Sequence, residues 1–278
     1  KNNFSQEFIL LRASAFAEVF FAPYSLRTSL QLLILEPSNM KPLIAFAPAY
    51  CELTFLQPFI FTRKVQDFRV GALTIREKWE QILEISSVDL KDSRQSEFFP
   101  SVSLEETGDN VVKYIIVANL LPDKALVEKI KTLLPGQSIV SKDNKMLAGC
   151  VMHARGIDSL QPVASLEPAD FKLLEAITQI NLFNREALWY DYEILKQKRV
   201  AQPVDPSNRL IAPENIFIEE GAVVRHAILN AEEGPIFIAK NAQVMEGVCL
   251  RGPIYIGENA VVKMGAAIYG ATTIGPGC

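Results

Sequence analysis

Five cations fall between residues 63 and 78: Arg63, Lys64, Arg69, Arg76 and Lys78. A guanidinium presents paired N–H donors that match two phosphate oxygens, and a lysine adds a compact positive charge. The cluster runs into Thr74-Ile75-Arg76-Glu77, a T-x-x-E capping box, and a helix N-terminus there would add oriented backbone N–H groups to an anion site. Gly71 sits among them, where the lack of a Cβ lets backbone approach a ligand closely. Read as a site, the group binds phosphate. Read as surface, it is a set of solvated charges, two of them facing out from a helix.

A second candidate group follows the strand-like run VVKYIIVA, residues 111–118. Asn119 and Asp123 stand just past its carboxyl end, where open α/β sheets bind ligands. Asn119 suits hydrogen bonding to a sugar or base, and Asp123 suits Mg²⁺, which takes oxygen ligands. Asp123 is equally a natural N-cap for the next helix. The only histidines are His153 and His226. A histidine at His226 has the chemistry of a general base for acyl transfer, although a lone surface histidine is the commoner case. Cys51, Cys150, Cys249 and Cys278 are far apart with no CxxC, which argues against a disulfide framework or a zinc site and suits a reducing, cytoplasmic setting. Cys249 and Cys278 fall at repeat positions and are expected to be small buried residues.

The elements that must carry these residues are legible in the patterning. The chain has 278 residues, 49% apolar and 22% charged, with a formal net charge of −4. That is room for about two globular domains, and nothing global points to nucleic acid. Residues 1–39 are apolar but interrupted by Arg12, Glu18, Pro23 and Arg27, so no run approaches the roughly 20 residues of a membrane span. They read as an extension or a translated upstream stretch before Met40, or as a packed or membrane-surface segment. Residues 43–46 form a first short strand. A loop-like stretch leads to a helix from about 75 to 84 with Ile75, Trp79 and Ile82 on one face. Residues 86–110 read as strand fragments and loop. After the 111–118 strand, Leu126, Ile130, Leu133 and Leu134 stripe a helix that Pro135-Gly136 ends. Residues 138–141 and 146–151, split by Lys142-Asp143-Asn144-Lys145, make a hairpin. Residues 168–198 are expected to be a connector helix, in one piece or in two meeting near Asn184, and the proline-bearing stretch 202–215 a linker.

The last forty residues repeat at six. Ile238, Val244, Leu250, Ile256, Val262, Ile268 and Ile274 recur without a miss. A helix does not repeat at six and a strand repeats at two; six is the period of a chain that turns a corner after each short strand and points one aliphatic inward per face, a parallel β-helix. The phase breaks between Asn230 and Phe237, where eight residues carry a two-residue insertion. The chain ends inside a repeat unit, so such a coil is expected to continue past Cys278.

An α/β domain, a connector helix and a hexapeptide coil together resemble the bacterial sugar nucleotidyltransferase-like family common in Bacteroidetes. That family is similar to N-acetylglucosamine-1-phosphate uridylyltransferase and glucose-1-phosphate thymidylyltransferase. The resemblance is carried by FLQPFIFTRKVQDFRVGALTIREKWEQIL (55–83), ANLLPDKALVEKI (118–130) and GPIYIGENAVVKMGAAIYGATTIGPGC (252–278). It implies an α/β nucleotidyltransferase-like (Rossmann-like) domain over 40–165, a connector over 166–215 and a left-handed parallel β-helix from 216 to 278, assembled as a trimer. It implies nucleoside triphosphate and sugar-1-phosphate as substrates and Mg²⁺ as cofactor, for which Asp123 is the candidate ligand by its place after the strand and not by a match to the family's aspartate. Arg63 and Arg76 would be the catalytic cations, with Arg69, Lys64, Gly71 and Asn119 binding substrate. The family's proline after the arginine is Lys64 here, its Asn-Gly-Asp reads Asn119-Leu120-Leu121, and its glycine-rich loop after the first strand reads FAPAY (46–50). Two other activities belong to the same layout: acyl transfer from acyl-CoA on the coil, and sugar-nucleotide binding without turnover.

Overall fold

The computed structural model describes residues 42–92, 99–103, 113–151 and 159–278. The expectations for residues 1–39, for His153 and for much of 86–110 lie outside the described residues. Among the described residues, no helix is long and apolar enough to cross a membrane.

The first part is built on a six-stranded mixed sheet. Its strands are β1 (Leu43–Ala47), β2 (Ser87–Asp89), β3 (Lys113–Val117), β5 (Gln137–Ser141), β6 (Met146–Val151) and β7 (Gln161–Leu166). The order is β2-β1-β3-β6-β5-β7. β1 pairs parallel with both β2 and β3, and β3 and β6 are antiparallel. Ile44, Ala45, Phe46, Ile115 and Ile116 are wholly buried, as continuous β-branched and apolar runs become when both sheet faces are covered. The 138–151 hairpin forms as expected, with β5 and β6 antiparallel.

Two helices flank this sheet. α1 (Ile75–Leu83) is opened by the capping box: the Glu77 backbone N–H donates to Thr74 Oγ1 (3.1 Å) and the Thr74 N–H donates to Glu77 Oε2 (2.7 Å). Ile75 and Trp79 are wholly buried, and the Trp79 indole N–H donates to the Leu120 carbonyl at 2.8 Å. α2 (Lys124–Lys131) buries Leu126, Val127 and Ile130. A two-stranded antiparallel pair, β4 (Leu120–Leu121) with β8 (Lys172–Leu173), ties the end of β3 to the later chain.

The connector helix differs from expectation. α3 runs over Thr178–Lys198, starting ten residues later than the apolar spacing predicts. Pro168–Asp170 is a single 3₁₀ turn and Leu173 belongs to β8. Leu173 and Leu174 are apolar because they pack under the sheet, and their spacing from Ile177 and Ile180 imitates a helical stripe. α3 is continuous through Asn184.

Beyond α3, short strands visit three parallel sheets in rotation. One sheet holds β10 (Ile216–Ile218), β13 (Ile236–Ile238), β16 (Ile254–Ile256) and β19 (Thr272–Ile274). The next holds β11 (Val223–Val224), β14 (Gln243–Val244) and β17 (Val261–Val262). The third holds β9 (Arg209–Ile211), β12 (Ile228–Asn230), β15 (Cys249–Arg251) and β18 (Ala267–Tyr269). Ile236 pairs with Ile254 and Ile254 with Thr272, one circuit every 18 residues. The aliphatics of the sixfold repeat fill the space between the sheets. Ile238, Val244, Leu250, Ile256 and Val262 are buried, with Ile268 and Ile274 packed against them. Three parallel sheets lined this way are compatible with a β-helix. β9 pairs with β12, so the third sheet begins inside the stretch read as linker.

The break in phase is also resolved. Two residues, Gly252-Pro253, separate β15 from β16, whereas five, 231–235, separate β12 from β13. The preceding corner is one residue short: three residues, 225–227, stand where four, 245–248, occur a circuit later. The two-residue excess is therefore three residues gained at one corner and one lost at another. Stacked Gly-Pro corners hold the register. A Cβ on Gly252 would lie 2.0 Å from the Gly234 carbonyl oxygen, so only glycine fits beneath it.

α3 packs between the sheet domain and these coils. Phe217, Phe237 and Tyr255 form a ladder on one coil face; Phe217 and Phe237 stack at 4.9 Å, and Tyr192 of α3 meets Phe237 edge-on at 6.5 Å. Ala72, Leu73, Leu188, Tyr192 and Leu195 complete this cluster. Polar groups join the same three parts. Asn184 Oδ1 accepts from the Gly71 N–H (2.8 Å), its Nδ2 donates to the Ala271 carbonyl (2.9 Å), and Thr273 Oγ1 donates to the Gly71 carbonyl (2.9 Å).

Candidate functional site

The five clustered cations do not converge on open space. Lys64 is almost fully buried; its ammonium pairs with Asp89 at 2.8 Å and donates to the Pro100 carbonyl. Arg76 directs all three guanidinium nitrogens inward. Nε meets Asp67 at 2.6 Å, Nη1 meets Ser87 Oγ at 2.9 Å, and Nη2 reaches Asp89 at 2.7 Å. Its plane lies over the Phe46 ring, 5.4 Å from the centroid. Burial alone would lower the Arg76 pKa, but the hydrogen bond and charge of Asp67 and the charge of Asp89 outweigh it and hold the group above its ordinary value. Gln66 Nε2 also donates to Asp89, at 2.6 Å. Arg69 donates to the Ala72 carbonyl and pairs with Glu77 at 3.2 Å. Arg63 alone of the five is exposed. Asp89, at the end of edge strand β2, is thus the hub that ties β2 to α1.

Lys78 faces the connector helix. Its ammonium pairs with Asp191, and both residues are almost wholly buried. Asp191 also accepts from the backbone N–H groups of Ala72 (2.7 Å) and Leu73 (3.0 Å). Burial pushes the Lys78 pKa down and the Asp191 pKa up, and each is partly offset by the opposite charge of the other. Gly71 lies in the same seam with φ +84°; a Cβ there would stand 2.5 Å from Asp191 Oδ2 and 2.8 Å from Ala187. The backbone that Gly71 lets approach is that of α3.

Open space lies elsewhere, over the carboxyl ends of β1 and β3. A cleft of about 720 Å³ is bounded by Tyr50, Cys51 and Glu52 after β1, Asn119 after β3, the β5–β6 turn with Asp143 and Lys145, and the segment from Pro168 to Glu175. Asn119 is on its lining but is held internally. Its Oδ1 accepts from the Cys51 thiol at 3.2 Å and its Nδ2 donates to the Leu174 carbonyl at 3.1 Å. Its side chain therefore fixes the cleft floor by joining the chain after β1 to the segment before α3. Lys145 is exposed on the cleft wall and has no ion-pair partner among the described residues. Lys172, on the opposite side, pairs with Glu186. After β1 the chain turns through Pro48–Tyr50, one turn of 3₁₀ helix that begins with a residue lacking an N–H.

Asp123 is in a different place. Its Oδ1 accepts from the Leu126 N–H at 2.9 Å as the N-cap of α2, and it lines a second, smaller cavity. Among the described residues there is no cluster of three or more His, Cys, Asp or Glu side chains suited to a metal ion. Asp123 lines this second cavity and not the cleft. The carboxylates that line the cleft are Glu52, Asp143 and Glu175.

The sequence singled out Asn119 correctly as a strand-end residue but could not indicate Lys145, Lys172 or Glu52. Lys145 was visible only as part of a turn, and which strand ends that turn faces depends on the sheet order. His226 occupies a coil corner with φ +52°, its backbone N–H donating to Ser207 Oγ at 3.0 Å. Cys249 and Cys278 are exposed, contrary to the burial expected of repeat positions. Cys249 immediately precedes the inward-facing Leu250, and alternation along the strand turns it outward.

In α/β sheets ligands bind at the strand carboxyl ends, where this cleft lies. The model of the sugar nucleotidyl transferase family matches residues 51–200, just over half of the sequence, and the chain belongs to that family. No curated protein matches it.

Proposed function

We propose that the protein forms a nucleotide-sugar and pyrophosphate from a nucleoside triphosphate and a sugar-1-phosphate. The observation that carries this reading is the cleft at the carboxyl ends of β1 and β3, lying largely within the family-matched segment. In the reaction, a phosphate oxygen of the sugar-1-phosphate attacks the α-phosphorus, and the bond to the β,γ-diphosphate breaks. Lys145 is positioned to neutralise charge on the phosphates, and Asn119 holds the two segments that shape the floor. One or two of the cleft-lining carboxylates, Glu52, Asp143 and Glu175, would hold a Mg²⁺ ion, which would neutralise charge on the phosphates. Arg63 is exposed just ahead of the buried Lys64 and does not line the cleft.

The reading extends to the whole chain. The three parallel sheets form, in this reading, a left-handed β-helix that assembles as a trimer. Two exposed thiols, Cys249 and Cys278, fit a reducing, cytoplasmic setting.

Titration with UTP and with dTTP in the presence of Mg²⁺, followed by pyrophosphate release on adding sugar-1-phosphates, tests the reading. Lys145→Ala is expected to weaken nucleotide binding about tenfold, or ~1.4 kcal/mol, without lowering the melting temperature. Unchanged affinity in that variant removes Lys145 from the site, and absence of binding by the wild type overturns the reading. One observation favours a second reading, sugar-nucleotide binding without turnover. The Pro48–Tyr50 turn stands where a glycine-rich loop would offer backbone N–H donors to the triphosphate. Nucleotide binding with no pyrophosphate release would select it.

A further inference from the structure

A second cavity of about 240 Å³ adjoins the cleft and shares Lys172 and Phe183 with it. One face of α3 supplies Phe183, Glu186, Ala187 and Tyr190, spaced i, i+3, i+4 and i+7, with Trp189 beside them. The opposite wall is Leu121-Pro122-Asp123, at the start of α2. The walls are therefore largely aromatic and apolar.

The charges on this lining sum in one direction. Lys78 is neutralised by Asp191 behind it, and Lys172 is neutralised by Glu186 on the rim. Asp123 faces both lysines across the cavity but forms no ion pair among the described residues, and its Oδ1 is engaged as the α2 cap. Tyr190 responds to the same negative field. Burial, then the charge of Asp123, then that of Asp191 push its phenol up to about 12, so it remains neutral at working pH. Aromatic faces beside an unneutralised carboxylate attract a cation with an apolar body, since the ring quadrupole and the carboxylate act in the same sense.

We propose that this cavity is a binding site for a small organic cation, an ammonium group carried on an apolar or aromatic frame, with Asp123 as its counter-charge and Phe183, Trp189 and Tyr190 as its walls. The site adjoins the cleft through Phe183, but Asp123, Trp189 and Tyr190 do not line the cleft, and the inference stands whether or not that cleft turns over.

The test is titration of the full chain with benzylammonium, read by calorimetry and by tryptophan fluorescence. Trp189 is partly exposed on the cavity, whereas Trp79 is wholly buried. A saturable heat and fluorescence change is expected, with benzyl alcohol, which has the same shape and no charge, binding at least about tenfold more weakly. Asp123→Asn keeps a cap acceptor for Leu126 and removes the charge, so it is expected to melt like wild type and lose at least about tenfold in benzylammonium affinity. No saturable binding, or equal binding of the alcohol, overturns the proposal. Equal affinity in a folded Asp123→Asn protein also overturns it. Should that variant fail to fold, the comparison of amine with alcohol on the wild type decides alone.

Discussion

At the scale of single residues, the cations near the start of the family segment show how much partner identity matters. Lys64, Arg76 and Lys78 look alike in sequence, yet all are turned inward, the first two to a shared Asp89 and the third to Asp191. Breaking a buried pair by removing one partner leaves the other uncompensated, so Lys78→Met is expected to cost about 3–5 kcal/mol in chemical denaturation. Adding Asp191→Asn should recover much of that loss, because the amide oxygen still accepts from Ala72 and Leu73 while the stranded charge is gone. The thiols make a second residue-level prediction. Cys150 is buried and its pKa is pushed up to about 11, whereas Cys249 and Cys278 are exposed. At pH 8 an aromatic disulfide reagent should label Cys249 and Cys278 quickly and Cys150 only after unfolding, as peptide mapping would read directly. Neither set of partners was legible in the sequence: Asp89 and Asp191 lie far along the chain from the cations they meet. Solvated and internally paired cations have the same local signature.

At the scale of elements, the legible parts were those set by local pattern. The capping box of α1, the apolar runs of β1 and β3, the 138–151 hairpin and the sixfold aliphatics all follow from short-range rules. The start of α3 did not, because Leu173 and Leu174 serve the sheet core while keeping a spacing that a helix would also use. The cleft was half legible. Asn119 could be placed at a strand end, but the wall holding Lys145 comes from the sheet order β3-β6-β5. Gly71 illustrates an element contact concealed in a single letter. Its positive φ and the closeness of Asp191 and Ala187 leave no room for a methyl group. Gly71→Ala is expected to destabilise by about 2–3 kcal/mol, read as a shifted denaturation midpoint, with Gly136→Ala as a control that shares the positive φ but has open space around it.

At the scale of the whole molecule, α3 is the shared wall. It carries Asn184 and Asp191 against the sheet domain and Leu188, Tyr192 and Leu195 against the coils. The family-matched segment ends with this helix, at residue 200. A fragment ending there would leave the coil-facing apolar side of α3 in water. Such a fragment is expected to bind a hydrophobic dye and elute as aggregate in size-exclusion chromatography, whereas the chain through Cys278 elutes as a defined species. Recovery of a well-behaved, dye-silent fragment would show that the helix is stable without its coil-side cover.

The ladder of Phe217, Phe237 and Tyr255, with Thr273 one turn further on, uses one residue on each of the four strands of their sheet. Docking is therefore shared along every strand of that sheet. A single-residue insertion within any one of these circuits would carry its rung off the shared face and loosen the grip on α3.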